Sequence, residues 1–168
     1  EKAAAISPEP QFISRTNQRE TFAIFDKFTG KPVRNAVVWQ CTRGEKICEK
    51  ILNNKEHSKL ITQKTGLKAN TFFSASKLKW ILDNEPNIKE GLLKGNILFG
   101  TIETYLLYRL TKCQEYATDT TNASRTLLFN CIDNIWDPNL FSIFDIEQFD
   151  LAEVRPSSSN FGSSNFEN

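Results

Sequence analysis

No methionine occurs anywhere in the 168 residues, not even at position 1; the chain is therefore expected to be processed or a piece of something longer. An excess of charge is missing as well. Against 20 Asp+Glu stand 21 Lys+Arg, a net charge of +1, which removes the electrostatic argument for nucleic acid or an anionic membrane as the main partner. Long apolar runs are absent: Ala36-Val37-Val38-Trp39 is far short of the ~18–20 residues that a membrane-spanning helix needs. The opening Glu1-Lys2-Ala3-Ala4-Ala5, followed by Ile6-Ser7-Pro8-Glu9-Pro10, has neither a basic n-region nor an apolar h-region, so no secretory signal is expected.

The chain is poor in metal and phosphate motifs. Its four cysteines, Cys41, Cys48, Cys113 and Cys131, form no CxxC pair, and His57 is the single histidine, so no familiar zinc set can be assembled from tight ligand pairs. Reduced thiols in a cytoplasmic protein are the expectation. The seven glycines, at positions 30, 44, 66, 91, 95, 100 and 162, form neither GxGxxG nor GxxxxGK[ST], so no nucleotide cradle can be read. Gly91 and Gly95 have GxxxG spacing, which around Leu92-Leu93-Lys94 marks a short soluble helix and not a membrane dimer face. What is present, 39% hydrophobic and 24% charged residues, is the profile of one ordinary soluble domain.

Along the chain, the apolar run Phe22-Ala23-Ile24-Phe25 and the run Val33 to Trp39 flank a Thr29-Gly30 turn, a pattern that predicts an antiparallel hairpin. With the turn centred there, paired residue numbers sum to about 59, which places Glu20 opposite Trp39. The period then changes to that of helices. One helix is expected from about Arg43 with Ile47, Cys48, Ile51 and Leu52 as its stripe, ending before a Thr65-Gly66-Leu67 break. Others are expected over Ser76 to Asp83, from Pro86 with Ile88, Leu92 and Leu93, and from Thr101 with Ile102, Tyr105, Leu106, Arg109 and Leu110. Ile97-Leu98-Phe99 reads as a strand, and Asp137-Pro138 opens a short helix with Leu140, Phe141 and Phe144. The mixture is an α/β layer pattern. A polar loop spans Thr118 to Thr126, and the Ser/Asn-rich end repeats Ser-Ser-Asn-Phe at 158–161 and 163–166, a composition that suggests a flexible tail.

A polyol or sugar site needs a carboxylate to accept hydroxyl protons, a guanidinium to donate, and an aromatic face for the C–H groups. Arg19, Glu20 and Trp39 meet that need if the hairpin register holds. The plainer alternative is an exposed Arg–Glu pair at a strand end and a Trp in the core, since adjacent strand residues face opposite ways. Asp119 is a second candidate as an acid/base or metal-linked carboxylate, with a turn or N-cap as its more ordinary role. Lys77 and Lys79 flank Leu78 and read as a solvated helix face, not a phosphate site. His57, in the polar stretch Asn53 to Lys59, reads as solvated in a helix or loop and has no orienting partner nearby in sequence.

Several of these segments resemble the glycerol kinases. The resemblance is carried by Asn17-Gln18-Arg19-Glu20-Thr21, Ala36-Val37-Val38-Trp39-Gln40-Cys41, Thr65-Gly66-Leu67, Phe72 to Asn84, and Thr118-Asp119-Thr120-Thr121-Asn122-Ala123-Ser124-Arg125-Thr126-Leu127-Leu128-Phe129-Asn130, in the family's order. The segment Phe72 to Asn84 also fits the signature of the wider FGGY carbohydrate kinases. The resemblance implies an α/β fold, an incomplete actin-like, ribonuclease-H-like domain of a carbohydrate kinase with a β-hairpin followed by mainly helical segments. It also implies transfer of the ATP γ-phosphate to glycerol to give glycerol 3-phosphate, with ATP and Mg2+ as cofactors. By motif, Arg19 and Glu20 bind glycerol hydroxyls, Trp39 packs the glycerol backbone, and Phe72 stands where the family has a glycerol-contacting Tyr. Losing that hydroxyl removes a hydrogen bond worth roughly 1–3 kcal/mol if a buried partner is left unpaired.

The chain also departs from the family. Ser14-Arg15 replaces Gly-Ile, Ile102-Glu103-Thr104-Tyr105 replaces Ile-Asp-Thr-Trp, and Cys113 replaces a Gly. The family's Asp-x-Gly-Thr-Thr phosphate hairpin, its Gly-Asp-Gln segment with the catalytic base, and its ATP-binding domain have no counterpart in these residues. The expected division is an N-terminal flanking segment (1–12), a partial substrate domain (13–156) and a Ser/Asn-rich tail (157–168). The expected function is that of a fragment of a cytoplasmic glycerol kinase, with no catalytic, nucleotide-binding or metal residue of its own. Its partners would be glycerol and the remaining, ATP-binding part of the kinase, with a homo-oligomer open for the whole protein. The alternatives are a non-catalytic remnant or polyol- or partner-binding module, and another FGGY sugar kinase.

Overall fold

The computed structural model describes residues 12–164; the opening segment through residue 11, and the second Ser-Ser-Asn-Phe copy beyond residue 164, lie outside the described residues. Strand β1 (Phe22–Asp26) leads into helices α1 (Glu45–Asn53), α2 (Lys55–Thr65), α3 (Ser74–Asn84) and α4 (Pro86–Leu93). There follow β2 (Ile97–Thr101), α5 (Ile102–Leu110), β3 (Ala117–Asp119), the single-turn α6 (Thr120–Ala123), β4 (Phe129–Asn130), β5 (Ile135–Trp136), α7 (Pro138–Ile143) and β6 (Glu153–Arg155). β1 and β2 pair antiparallel with Phe22 opposite Thr101 and Asp26 opposite Ile97, β3 and β6 pair parallel, and β4 and β5 pair antiparallel.

Alternation along β1 explains the layering. Phe22 and Ile24 belong to a large core with Ile51, Ile61, Leu78, Ile81, Leu92 and Phe99, whereas Ala23 and Phe25 face a smaller one with Leu98 and Tyr108. A strand buried on both faces reads as a continuous apolar run, and Phe-Ala-Ile-Phe is that run. Helices α1 to α4 cover one face and α5 the other.

The expected hairpin is only half realised. β1 takes β2 as its ladder partner, and the stretch Pro32 to Trp39 touches it at two isolated bridges, Phe25 with Pro32 and Phe22 with Val37. Pro32 has no N–H to extend a ladder, and the chain uses two more residues than β1 between the bridges, so the register moves from 57 to the expected 59 at Val37. The turn itself forms as expected: the Asp26 carboxylate accepts from the Thr29 N–H (2.7 Å) and the Phe28 N–H (3.1 Å), and Gly30 adopts φ +61°, a region that favours glycine.

The helices follow the sequence signals with two changes. Asn54 caps α2 by accepting from the N–H groups of Glu56 (3.0 Å) and His57 (3.1 Å), and Gly66 closes it at φ +71°, as such caps do. His57 thus sits in the first turn of α2, half-buried. In α5 the buried face is Glu103, Thr104, Leu107 and Tyr108, while Leu106 and Leu110 are exposed. Polar satisfaction decides that face: the Glu103 carboxylate accepts from Thr118 Oγ1 (2.6 Å), Thr104 Oγ1 (3.1 Å), Thr101 Oγ1 and Asn17 Nδ2 (3.3 Å).

Candidate substrate site

The Asn17 to Thr21 segment enters β1 without regular structure up to its last residues, so Glu20 is placed by its partners. Its carboxylate accepts from Arg125 Nε at 2.8 Å and from Gln18 Nε2, and the Glu20 side chain is 13% exposed. Arg125 also lies over the Phe73 ring, 4.8 Å from its centroid. The turn carrying Arg125 is fixed to α3 by the Ala75 N–H donating to the Thr126 carbonyl (3.0 Å). Guanidinium, carboxylate and aromatic ring therefore form one unit.

Beside it, the half-buried Trp39 and the 45% exposed Phe72 stack with ring centroids 4.8 Å apart and planes tilted by 37°, within the range of favourable aromatic pairs. Lys77 links the two halves. It is buried, its ammonium donates to the carbonyls of Phe72 (2.8 Å) and Val38 (3.3 Å), and burial pulls its pKa down to about 8 against the opposing fields of Cys41, Glu20 and Cys48. The expectation of a solvated Lys77 is overturned. Lys77 lies four residues before Ile81 and three after Ser74, hence on the core-facing stripe of α3, and the price of its burial is met by two carbonyl acceptors.

Of the four residues read as substrate-binding, Glu20, Trp39 and Phe72 gather around Lys77. Arg19 does not join them: it is exposed, and among the described residues no hydrogen bond or ion pair engages it. Arg125 and Lys77 are the residues the sequence reading passed over; Arg125 stood in the quoted Asn-Ala-Ser-Arg-Thr run, as the complementary charge for Glu20. Asp119 serves as the N-cap of α6, accepting from Asn122 N (2.9 Å), Asn122 Nδ2 (2.7 Å), Thr121 Oγ1 (2.8 Å) and Ser157 Oγ. Burial would raise its pKa, but those donors hold it below the usual carboxylate range. Ser157 thereby anchors the start of the Ser/Asn-rich stretch, and the guanidiniums of Arg15 and Arg155 lie 5.9 and 5.8 Å from the Phe161 ring centroid. The four cysteines are free thiols, with Cys48 buried and Cys131 exposed.

Residues 12–17 carry no strand, and Arg15, which stands in place of the family's Ile, is half-buried with its guanidinium donating to the Glu103 carbonyl. Among the described residues, no group of three or more His, Cys, Asp or Glu could hold a metal ion, and no helix is long and apolar enough to cross a membrane.

The chain and its fold have known counterparts. The sequence profile of the FGGY family of carbohydrate kinases, N-terminal domain, matches residues 2–168. A glycerol kinase of Francisella philomiragia subsp. philomiragia is 49% identical over 160 residues, 95% of this chain and 32% of that protein. The crystal structure of Plasmodium falciparum glycerol kinase with ADP matches with a TM-score of 0.84 and 42% identity, over 90% of this chain and 30% of that one. Gluconate kinase from Lactobacillus acidophilus, 20% identical with a TM-score of 0.72 over 89% of this chain and 29% of its own, shares the fold. The chain belongs to the FGGY family of carbohydrate kinases, with the actin-like α/β fold that its motifs implied. Within that family it is similar to glycerol kinases at about half identity and spans about a third of the length of the curated relatives it matches.

Proposed function

We propose that the whole protein is a cytoplasmic, ATP-dependent glycerol kinase and that this chain supplies its polyol-recognising face. The observation that carries the reading is the Glu20 carboxylate, fixed by Arg125 at 2.8 Å beside the Trp39–Phe72 pair. An ionised carboxylate accepts from two hydroxyl groups while aromatic faces cover the C–H side of a small polyol. Arg19, exposed and uncommitted, supplies N–H donors to a hydroxyl from the solvent side.

The reaction joins a terminal glycerol oxygen to the γ-phosphorus as the bond from that phosphorus to ADP breaks; the hydroxyl proton passes to a base. Positioning of the two substrates provides most of the catalysis in such transfers, and Glu20, Arg19 and the aromatic pair position one of them. Asp119, a carboxylate near the site-bearing turn, is engaged as the N-cap of α6 and by Thr121 and Ser157, and the phosphate and catalytic-base motifs of the family have no counterpart in these residues. Nucleotide, Mg2+ and base are therefore assigned to the ATP-binding part of the whole protein, the main partner of this chain.

The test is a substrate panel on the full-length protein with ATP and Mg2+. Glycerol-dependent ADP production is expected, and Glu20→Gln is expected to lower kcat/KM for glycerol about 100-fold, the cost of roughly 3 kcal/mol for losing a charge-assisted hydrogen-bond acceptor. Turnover with xylulose or gluconate and none with glycerol would overturn the assignment.

A further inference from the structure

Trp39 and Phe72 lie on segments with no regular secondary structure, one between the Val37 bridge and α1, the other ahead of α3. Each segment is locally folded: the Cys41 N–H donates to the Val38 carbonyl (3.1 Å), and the Phe72 N–H donates to Asn70 Oδ1 (2.8 Å). Val37 and Phe73 anchor both segments in the large core, but their neighbours Val38 and Phe72 are 46% and 45% exposed, so core packing does not by itself set how the two rings meet. The Lys77 ammonium does. It has three donors and spends two on the carbonyls of Val38 and Phe72, the residue before one ring and the residue bearing the other. Among the described residues no other hydrogen bond joins these two segments.

Lys77 itself has little freedom. It is 1% exposed on a helix whose neighbours Leu78 and Ile81 are core residues, and its two charge-assisted bonds, the shorter to Phe72 (2.8 Å) and the longer to Val38 (3.3 Å), are made away from bulk water. We propose that Lys77 is the positioning residue of the site, bridging the Val38 and Phe72 carbonyls and thereby setting the separation and tilt of the Trp39 and Phe72 rings. Its bearing on catalysis rests on the reading of that ring pair as the floor for the polyol. Lys77 touches no substrate in this role. Removing it lets the two rings move apart while Glu20 keeps its partner Arg125.

The test uses the full-length protein with Lys77→Met and Lys77→Arg, each checked for a cooperative thermal transition, and Lys77→Gln in place of any that does not fold. Crystal structures of wild type and variant read the ring separation, and steady-state kinetics read the polyol. Lys77→Met is expected to move the centroids beyond the 4.8 Å seen here and to raise the glycerol KM about tenfold. The KM for ATP should be unchanged and kcat should stay within about threefold, a KM-against-kcat split that loss of ground-state contacts produces. Lys77→Arg, which keeps donors for both carbonyls, is expected to restore part of the affinity. Unchanged ring geometry in Lys77→Met would overturn the proposal, as would parallel losses in kcat and in the KM for ATP, or failure of all three variants to fold. If the wild type does not act on glycerol, the functional reading fails, and the ring separation still decides the role of Lys77.

Discussion

Cys113 adopts φ +66° directly after α5, with its N–H donating to the Tyr108 carbonyl at 2.7 Å. The glycerol kinases that the motif resembles carry glycine there, and the backbone supplies the reason: a Cβ in the left-handed region costs roughly 1–2 kcal/mol. The thiol offsets part of that cost by packing against Phe25, Leu98 and Tyr108. Cys113→Ala keeps the strain and loses the sulfur, whereas Cys113→Gly removes the strain. We therefore expect the glycine variant to be more stable than the alanine variant by about 1 kcal/mol in urea unfolding, and equal midpoints would show that the conformation is not strained. Reading the sequence alone flagged Cys113 as a departure but gave it no cost, because the sign of φ is set by how α5 ends. Lys77 was misread for a related reason. Lysine usually points to water, and only its place on the Ser74–Ile81 stripe betrayed the burial that two carbonyl acceptors make possible.

At the scale of elements, α7 shows how one side chain can organise a helix start and a tertiary contact together. Asp137 caps α7, accepting from the N–H groups of Asn139 (2.8 Å) and Leu140 (3.4 Å), and also accepts from Asn130 Nδ2 (2.9 Å) and Lys64 Nζ (2.5 Å). Its side chain is 3% exposed. Burial pushes the carboxyl pKa up, but Lys64, Asn130 and the cap donors outweigh it and hold the value low. Asp137→Ala removes a cap and leaves the Lys64 charge without its partner, so a loss of about 3–5 kcal/mol is expected, measured by chemical unfolding. Asp137→Asn keeps an acceptor for the cap and should lose less. Because the folded pKa is depressed, the carboxylate's stabilisation is present above the usual carboxylate range and is lost as pH falls through the folded value. The gap between wild type and Asp137→Asn should close in acid. This helix was legible from Asp137-Pro138 because cap and first-turn proline are local signals. The ladder partner of β1 was not, since the choice between Val33–Trp39 and Ile97–Thr101 depends on a contact made some 70 residues away. The buried face of α5 was equally illegible: apolar spacing favoured Leu106 and Leu110, and the threonine ring around Glu103 exists only once β2, β3 and α5 have met.

For the whole molecule, near-neutral composition fixed the class, and long motifs in family order fixed the kinship, but neither showed that the large core carries an ammonium at the edge of the candidate site. That charge makes the stability of the fold rise with pH, as its depressed carboxylates do, but in the alkaline range instead of the acid one. The Lys77 pKa falls from 10.5 to about 8 through burial, opposed by Cys41, Glu20 and Cys48. Below pH 8 both folded and unfolded chains hold the proton, so the burial cost is constant and fully present. Between pH 8 and 10.5 the unfolded chain holds more protons than the folded one, and stability contributed by this group rises with pH. The full change is on the order of 3 kcal/mol. Cys48, whose thiol is pushed up by burial, works the other way over alkaline pH, since the unfolded chain releases its proton first. Comparison with Lys77→Met removes the largest part of that effect, the burial common to both proteins, and leaves only the change in the Lys77 field on the thiol. The unfolding free energy of wild type relative to Lys77→Met is therefore expected to be level below pH 8 and to rise in favour of wild type by pH 10. A difference that does not change with pH would place the Lys77 ammonium in water, and with it would go the bridge between the Val38 and Phe72 carbonyls.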